Sequence, residues 1–217
     1  MDSKLKSVIL LVALTAPAYG DEAGLLGKQV VLRGEVFGLA AEKAEDGGQP
    51  MRFYRVDRAD GESCDVIDTE TGARRHVAVA DFVPIADAIA ELTRRLELEP
   101  ASAADFRDRG ALRQRGDEII ESFADFAAAL HFQPADPLVY LYQAAALADL
   151  RLYDHALARL AEATRLKPDF APANHRRAEI WLLRGDNERA MTELNEAVRV
   201  GPDYAPAYRL RARRWLE

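Results

Sequence analysis

Four histidines (His76, His131, His155 and His175) and one cysteine, Cys64, are the side chains of this 217-residue chain best suited to metal ligation or nucleophilic attack. A metal site needs donors that converge, usually from one helical turn or a tight loop. No two of the histidines stand within one turn of each other, and none has a cysteine beside it. His131 falls near the end of a helical stretch, where an imidazole pairs readily with terminal carbonyls, and Asp154-His155 opens another helix and reads as solvated. Cys64 shares a strand face with Val66, the pattern of a small buried thiol. Being single, it allows no intramolecular disulfide. Paired carboxylates, Asp117-Glu118 and Glu42 with Glu45, lie in turns or at exposed helix starts, where acids favour the helix dipole. No glycine-rich loop follows a strand and no Gly-x-Ser-x-Gly elbow occurs, so the sequence signals for phosphate cradling and serine attack are missing. The chain therefore reads as non-enzymatic, with neither cofactor nor metal, and its chemistry is recognition.

The elements that would carry such recognition announce themselves by spacing. Pro100, Pro134, Pro168 and Pro202 recur every 34 residues. A period of that length implies one helix-turn-helix unit copied along the chain, each copy burying its apolar faces against its neighbours. Small residues recur at Gly110, Ala144, Ala178 and Ala212, where the first helix of a unit approaches the second. Twelve positions on stand Ser122, Ala156 and Ala190, then bulky Phe126, Leu160 and Leu194, then Ala129, Ala163 and Ala197. Small faces small and large fills the gap. The prolines close each second helix, because the ring has no N–H and disfavours a helical residue before it.

These residues resemble the tetratricopeptide repeat: Gly or Ala, an aromatic or Leu three later, Ala, Phe or Leu, Ala, and terminal Pro. The resemblance covers about 130 of the 217 residues. Departures stand at Arg109, Gln143, Arg177 and Arg211, which replace the usual Leu, and at Arg113, which replaces the usual Tyr; Leu147, Trp181 and Trp215 are ordinary. The turn between helices also shifts, Gly116 sitting one place earlier in its copy than Gly185. Half copies frame the array. Ile85 to Leu98 matches a second helix without its first, and Tyr208, Ala212 and Trp215 match a first helix without its second, whose Arg209, Arg211, Arg213 and Arg214 suggest a polar cap.

From Leu26 to Pro84 the helical period gives way to short strands at Gln29–Leu32, Met51–Val56, Ser63–Ile67 and His76–Val83, separated by Asp60-Gly61, Thr71-Gly72 and a long loop from Gly34 to Pro50. Four or five such strands suit a small barrel. A Gly-Lys-x-Val-Val opening at Gly27 to Val31, and Asp81-Phe82-Val83-Pro84-Ile85 running straight into a helix, resemble exported bacterial proteins of a planctomycete type that join an SH3-like barrel to tetratricopeptide repeats. Phe37, Phe53, Tyr54 and Phe82 form no shared aromatic stripe, so the barrel reads as a structural cap.

The fold expected is thus α+β and multidomain: a signal peptide over 1–20, a small SH3-like β barrel over 26–84, a connecting helix over 85–100, and repeats over 103–136, 137–170 and 171–204. A capping helix over 205–217 completes an all-α solenoid of three repeats flanked by two half repeats. Lys4 and Lys6, an apolar run from Val8 to Ala16, and Ala18-Tyr19-Gly20 before Asp21-Glu22 form a secretory signal with cleavage after Gly20, which places the protein in the periplasm or outside the cell. The run is far shorter than the ~20 residues of a membrane span. The net charge of −7 makes nucleic acid an unsuitable partner, and it is unevenly spread, with 10 basic and 17 acidic residues over 21–100 against 9 and 7 over 171–217.

The resemblance implies a concave groove lined by the first helix of each unit. By repeat position it receives Ala104, Arg107, Ala111, Gln114 and Arg115 from the first copy, and Leu138, Leu141, Ala145, Ala148 and Asp149 from the second. The third supplies Pro172, His175, Glu179, Leu182 and Leu183, and the last helix Arg209 and Arg213. An apolar strip at Leu138 and Leu141 requires a cover. Either a partner polypeptide lies there, as an extended peptide or an amphipathic helix with acids toward the arginines, or the chain covers itself through the Gly34–Pro50 loop or a second copy in a homo-oligomer. The two-carboxylate clamp of relatives that hold chaperone tails would fall on Arg107, Ala111, Tyr142, Pro172 and Arg176; both amides are absent. Three functions remain: a protein-binding adaptor or scaffold, a structural subunit of an envelope complex, or an enzyme with its site in the β domain.

Overall fold

In the computed structural model, residues 28–32, 50–59, 63–78, 81–98 and 102–215 are described. The signal peptide, the Gly34–Gln49 part of the loop and the Asp60-Gly61 turn lie outside them. Strand β1 (Gln29–Leu32) lies between β2 and β5 in an antiparallel sheet whose order is β4-β3-β2-β1-β5, with β2 at Phe53–Ala59, β3 at Ser63–Asp68, β4 at Arg74–Ala78 and β5 at Phe82–Pro84. The expected strand His76–Val83 is two strands at opposite edges, β4 on β3 and β5 on β1. Among the described residues those edges do not pair, so the sheet is open where a closed barrel was expected.

Period-two alternation gives the sheet two buried faces. Val30, Tyr54, Val56, Cys64, Val66 and Phe82 cluster on one, with Tyr54 and Phe82 meeting edge-on at 5.7 Å. Val31 and Val83 face the other way, onto Ile85, Ala88 and Leu92 of α1 (Ile85–Leu98) and Leu112 of α2 (Ala103–Arg115). Helix α1 thereby joins sheet and array through one shared core.

Three helix pairs follow: α2 with α3 (Ile119–Phe132), α4 (Pro137–Asp149) with α5 (Tyr153–Leu166), and α6 (Ala171–Leu183) with α7 (Asn187–Val200); α8 (Ala205–Trp215) ends the series. Side-chain caps start three of them, the Ser102, Asp136 and Asp186 oxygens accepting from Asp105, Leu138 and Arg189 N–H. The seams are as the spacing demands. Ala144, Ala178, Ser122, Ala156, Ala190, Phe126, Leu160 and Leu194 are all fully buried. Ala212, their equivalent on α8, is exposed, because no second helix packs on it among the described residues.

The inter-helix turns keep strict register, contrary to what Gly116 suggested. Positive φ recurs at Asp117 (66°), Arg151 (59°) and Gly185 (77°), 34 residues apart. At each, the next residue's N–H donates to a carbonyl five back: Glu118 to Arg113, Leu152 to Leu147, Asp186 to Trp181, at 2.8–2.9 Å. That is the left-handed helix stop that glycine favours, adopted twice without it.

Candidate partner-binding groove

The first helices α2, α4, α6 and α8 face the sheet across a cavity of about 790 Å³. Its helical wall carries Leu141, Tyr142, Ala145 and Ala148 at the middle, with Arg115 toward one end and Arg209 and Arg213 toward the other. The opposite wall is the sheet's own: Pro50, Met51, Phe53 and the β3–β4 turn from Thr69 to Gly72. Ala145, Ala148 and Leu182 give the cavity apolar surface, and the guanidinium groups of Arg115, Arg176, Arg209 and Arg213 share its walls with the carboxylates of Glu70, Asp149 and Glu179.

The sheet is fastened to the helices at several points. Met51 N–H donates to the Tyr142 hydroxyl at 2.7 Å, and burial pushes that phenol well above its ordinary pKa, keeping it un-ionised. Arg115 donates to Gln29 Oε1 (3.1 Å) and Thr69 Oγ1 (3.0 Å) and lies 5.2 Å over the Phe53 ring. Burial lowers its pKa from the usual guanidinium value. At the far end, Tyr204 O–H donates to Glu70 Oε1 at 3.3 Å. His175, 4% exposed, meets Tyr204 edge-on at 5.6 Å; burial lowers its pKa, so the ring is neutral. Arg176 pairs with Glu179 at 2.8 Å.

Thirteen of the seventeen residues expected in the groove line this cavity: Gln114, Arg115, Leu141, Ala145, Ala148, Asp149, Pro172, His175, Glu179, Leu182, Leu183, Arg209 and Arg213. Four do not, Ala104 among them. Arg107 is spent on Asp108 (2.8 Å) and Asp136 (3.0 Å), which outweigh its burial and hold it protonated, while burial raises the Asp108 pKa. Ala111 and Leu138, at 1% and 3% exposure, are packed in the helical core. Leu141 is only 4% exposed, so the strip expected to face water does not. Met51 packs against the cluster that holds both leucines, so the chain itself provides cover there. Met51, Glu70 and Tyr204 were not foreseen as groove residues, because nothing in the repeat pattern says that a sheet lies over it; Arg176 entered only as a position of the two-carboxylate clamp.

The departures from the repeat also have a cause. Arg109 forks onto Asp125 (2.6–3.2 Å), which also accepts from Arg113 at 2.8 Å, and Arg177 pairs with Glu193 at 2.9 Å. Each acid stands sixteen residues after its arginine, across the seam of one helix pair; that spacing was the signal available in the sequence. Among the described residues, no three His, Cys, Asp or Glu gather as metal ligands, and no helix is long and apolar enough to cross a membrane.

A tetratricopeptide-repeat family model matches residues 147–214. The helical array has the tetratricopeptide fold. Solved tetratricopeptide proteins superpose on it: TTC0263 from Thermus thermophilus with a TM-score of 0.55 at 18% identity, over 61% of this chain and 73% of that one. YrrB, described as a tetratricopeptide protein with an unusual peptide-binding site, gives 0.51 at 18% identity, over 59% of this chain and 66% of its own. The Cut9–Hcn1 tetramer of the APC/C gives 0.53 at 20% identity, over 60% of this chain but only 26% of that one. No curated protein matches the chain. The tetratricopeptide array of the present chain differs from a bare solenoid in the sheet laid across its concave side.

Proposed function

We propose that the chain is a non-enzymatic adaptor or scaffold, exported to the periplasm or beyond, that holds a segment of a partner polypeptide in the concave groove of its array. The observation that carries this is the cavity itself: apolar surface at the half-buried Ala145, Ala148 and Leu182 between arginine-bearing ends, on a fold whose structural relatives include one described as peptide-binding. Export rests on the Lys4-to-Gly20 pattern alone. The strand order β4-β3-β2-β1-β5, bent by a register shift between Val56 and Arg58, favours an SH3-like module serving as the cap of the array.

A photo-crosslinker at Ala145, which lines the cavity, tests the assignment against one at Ala158, exposed on α5. A polypeptide captured in cells from Ala145 and not from Ala158 supports it. Identical adducts from both positions remove the groove from consideration.

A second reading, a subunit of a cell-envelope complex making contact through the end of its array, is favoured by α8. Tyr208 (38% exposed), Ala212 and Trp215 (77% exposed) form the stripe that second helices bury in the other units. Self-association abolished by Trp215→Glu, with groove crosslinks unchanged, would select it.

A further inference from the structure

The β3–β4 turn is built as a rigid projection into the groove. Asp68, itself buried, accepts from the N–H groups of Glu70 (2.9 Å) and Thr71 (2.6 Å), and Gly72 closes the turn with φ +64° and an N–H donated to Asp68 O at 2.7 Å. Thr69 is held by Arg115 on α2, while Gly72 lies against Arg209 of α8. Between them, Glu70 is delivered to a corner formed by the Tyr204 hydroxyl, the Arg176 guanidinium, which also pairs with Glu179, and the neutral His175 ring. The Tyr204 hydroxyl donates directly to Glu70 Oε1, and burial keeps that phenol protonated, hence a permanent donor. The Glu70 charge is also felt by Arg115, Arg176 and His175. Glu70 remains exposed, and among the described residues its carboxylate accepts one long hydrogen bond, so it is fixed by the turn more than by the corner.

From this geometry we infer that Glu70 is a tethered stand-in for a ligand: the Tyr204–Arg176 corner is a carboxylate position of the groove, and an acidic peptide segment of a partner occupies it by displacing the β3–β4 turn. The inference rests on the adaptor assignment and names both the chemistry of the partner and the device that restrains it. A tether supplies a high effective concentration for a contact that is weak in itself, so the turn competes without any strong bond. The cavity lies between the helices and the sheet wall at Pro50, Met51, Phe53 and Thr69 to Gly72, and we assign to it a segment in extended form.

The test uses the full chain and, as probe, a fluorescein-labelled synthetic peptide of residues 66–74, read by anisotropy. Glu70→Ala is expected to bind the probe roughly threefold to tenfold more tightly than the unaltered protein, the fold-change that losing one exposed charge-assisted contact carries. A probe bearing Glu70→Gln gains nothing from that variant, and adding Tyr204→Phe, which removes one oxygen without emptying the packing, erases the gain. Hydrogen exchange at the start of α8 rises in Glu70→Ala if the turn has been restraining it. Equal affinity of the two proteins for the probe overturns the competitor while leaving a binding groove and the adaptor assignment intact. No binding by either protein overturns the carboxylate position; the adaptor assignment then stands or falls on the Ala145 crosslink.

Discussion

Gly110 on α2 and Phe126 on α3 make a pair whose energetics follow from geometry. Alanine is better than glycine in a helix interior by ~1 kcal/mol, so Gly110→Ala would stabilise an unencumbered helix by that amount. Here the new Cβ would lie 2.6 Å from Phe126 Cε1, 2.8 Å from Cδ1 and 3.2 Å from Asp125 Cβ. Phe126 is fully buried, edge-on to Phe123 and stacked on Tyr142, so the ring has no space to move into. Overpacking of this kind costs ~1–3 kcal/mol and offsets the propensity gain, leaving a net loss of about 0–2 kcal/mol. Phe126→Leu alone opens a void and costs about 1–2 kcal/mol. The double variant recreates the Ala/Leu pairing of Ala144 with Leu160 and Ala178 with Leu194, both fully buried in their units. Its destabilisation should therefore fall short of the sum of the single changes by at least about 1 kcal/mol. Urea denaturation followed by circular dichroism, with slopes matched across the four proteins, measures the cycle. A stabilising Gly110→Ala, or additive singles, would refute so close an approach of the two helices.

Arg151→Gly should stabilise the protein by about 0.5–1 kcal/mol in thermal melts, since Arg151 holds φ at 59° where glycine is unstrained. Asp125→Ala should cost about 3–5 kcal/mol in the same assay, because it strands the largely buried Arg109 and Arg113 guanidiniums without their shared carboxylate. His175 is neutral in the folded state, with burial lowering its pKa from the ordinary 6.5 against the pull of Glu179 and Glu70. Between its folded value and about 6.5 the unfolded chain binds more protons than the folded one, so stability falls as pH drops through that window. Urea midpoints at about pH 7.5 and about pH 5.5 should diverge for the unaltered protein and converge for His175→Gln; equal divergence in both would show that the ring does not titrate this way.

The repeat seams are legible in the sequence because a 34-residue period imposes the same size rule at every crossing, and size is a property of residue type. Gly110, Ala144 and Ala178 declare themselves for that reason. The turn at Asp117 is not legible in the same way because glycine's freedom is a preference: the left-handed stop is set by the hydrogen bond to Arg113 O, and Asp117 and Arg151 accept the strain. Arg109 and Arg177 look like irregularities by repeat position, since their partners Asp125 and Glu193 stand on another helix and are invisible to position-by-position comparison. The groove is legible on its helical side alone. Leu138 and Leu141 follow the repeat, but the sheet residue that packs against their cluster is Met51, about ninety residues earlier in the chain, whose place no periodicity encodes.

Because Thr69 reaches Arg115 on α2 while Glu70 and Gly72 reach Tyr204 and Arg209 by α8, the sheet acts as a gauge of array length. The interchangeable stops at Arg151 and Gly185 would let one more 34-residue cassette slot into the solenoid without local distortion. Such an insertion would nonetheless carry the last helix beyond the span of the hairpin, so repeat number in this architecture can drift only if the β3–β4 arm lengthens with it.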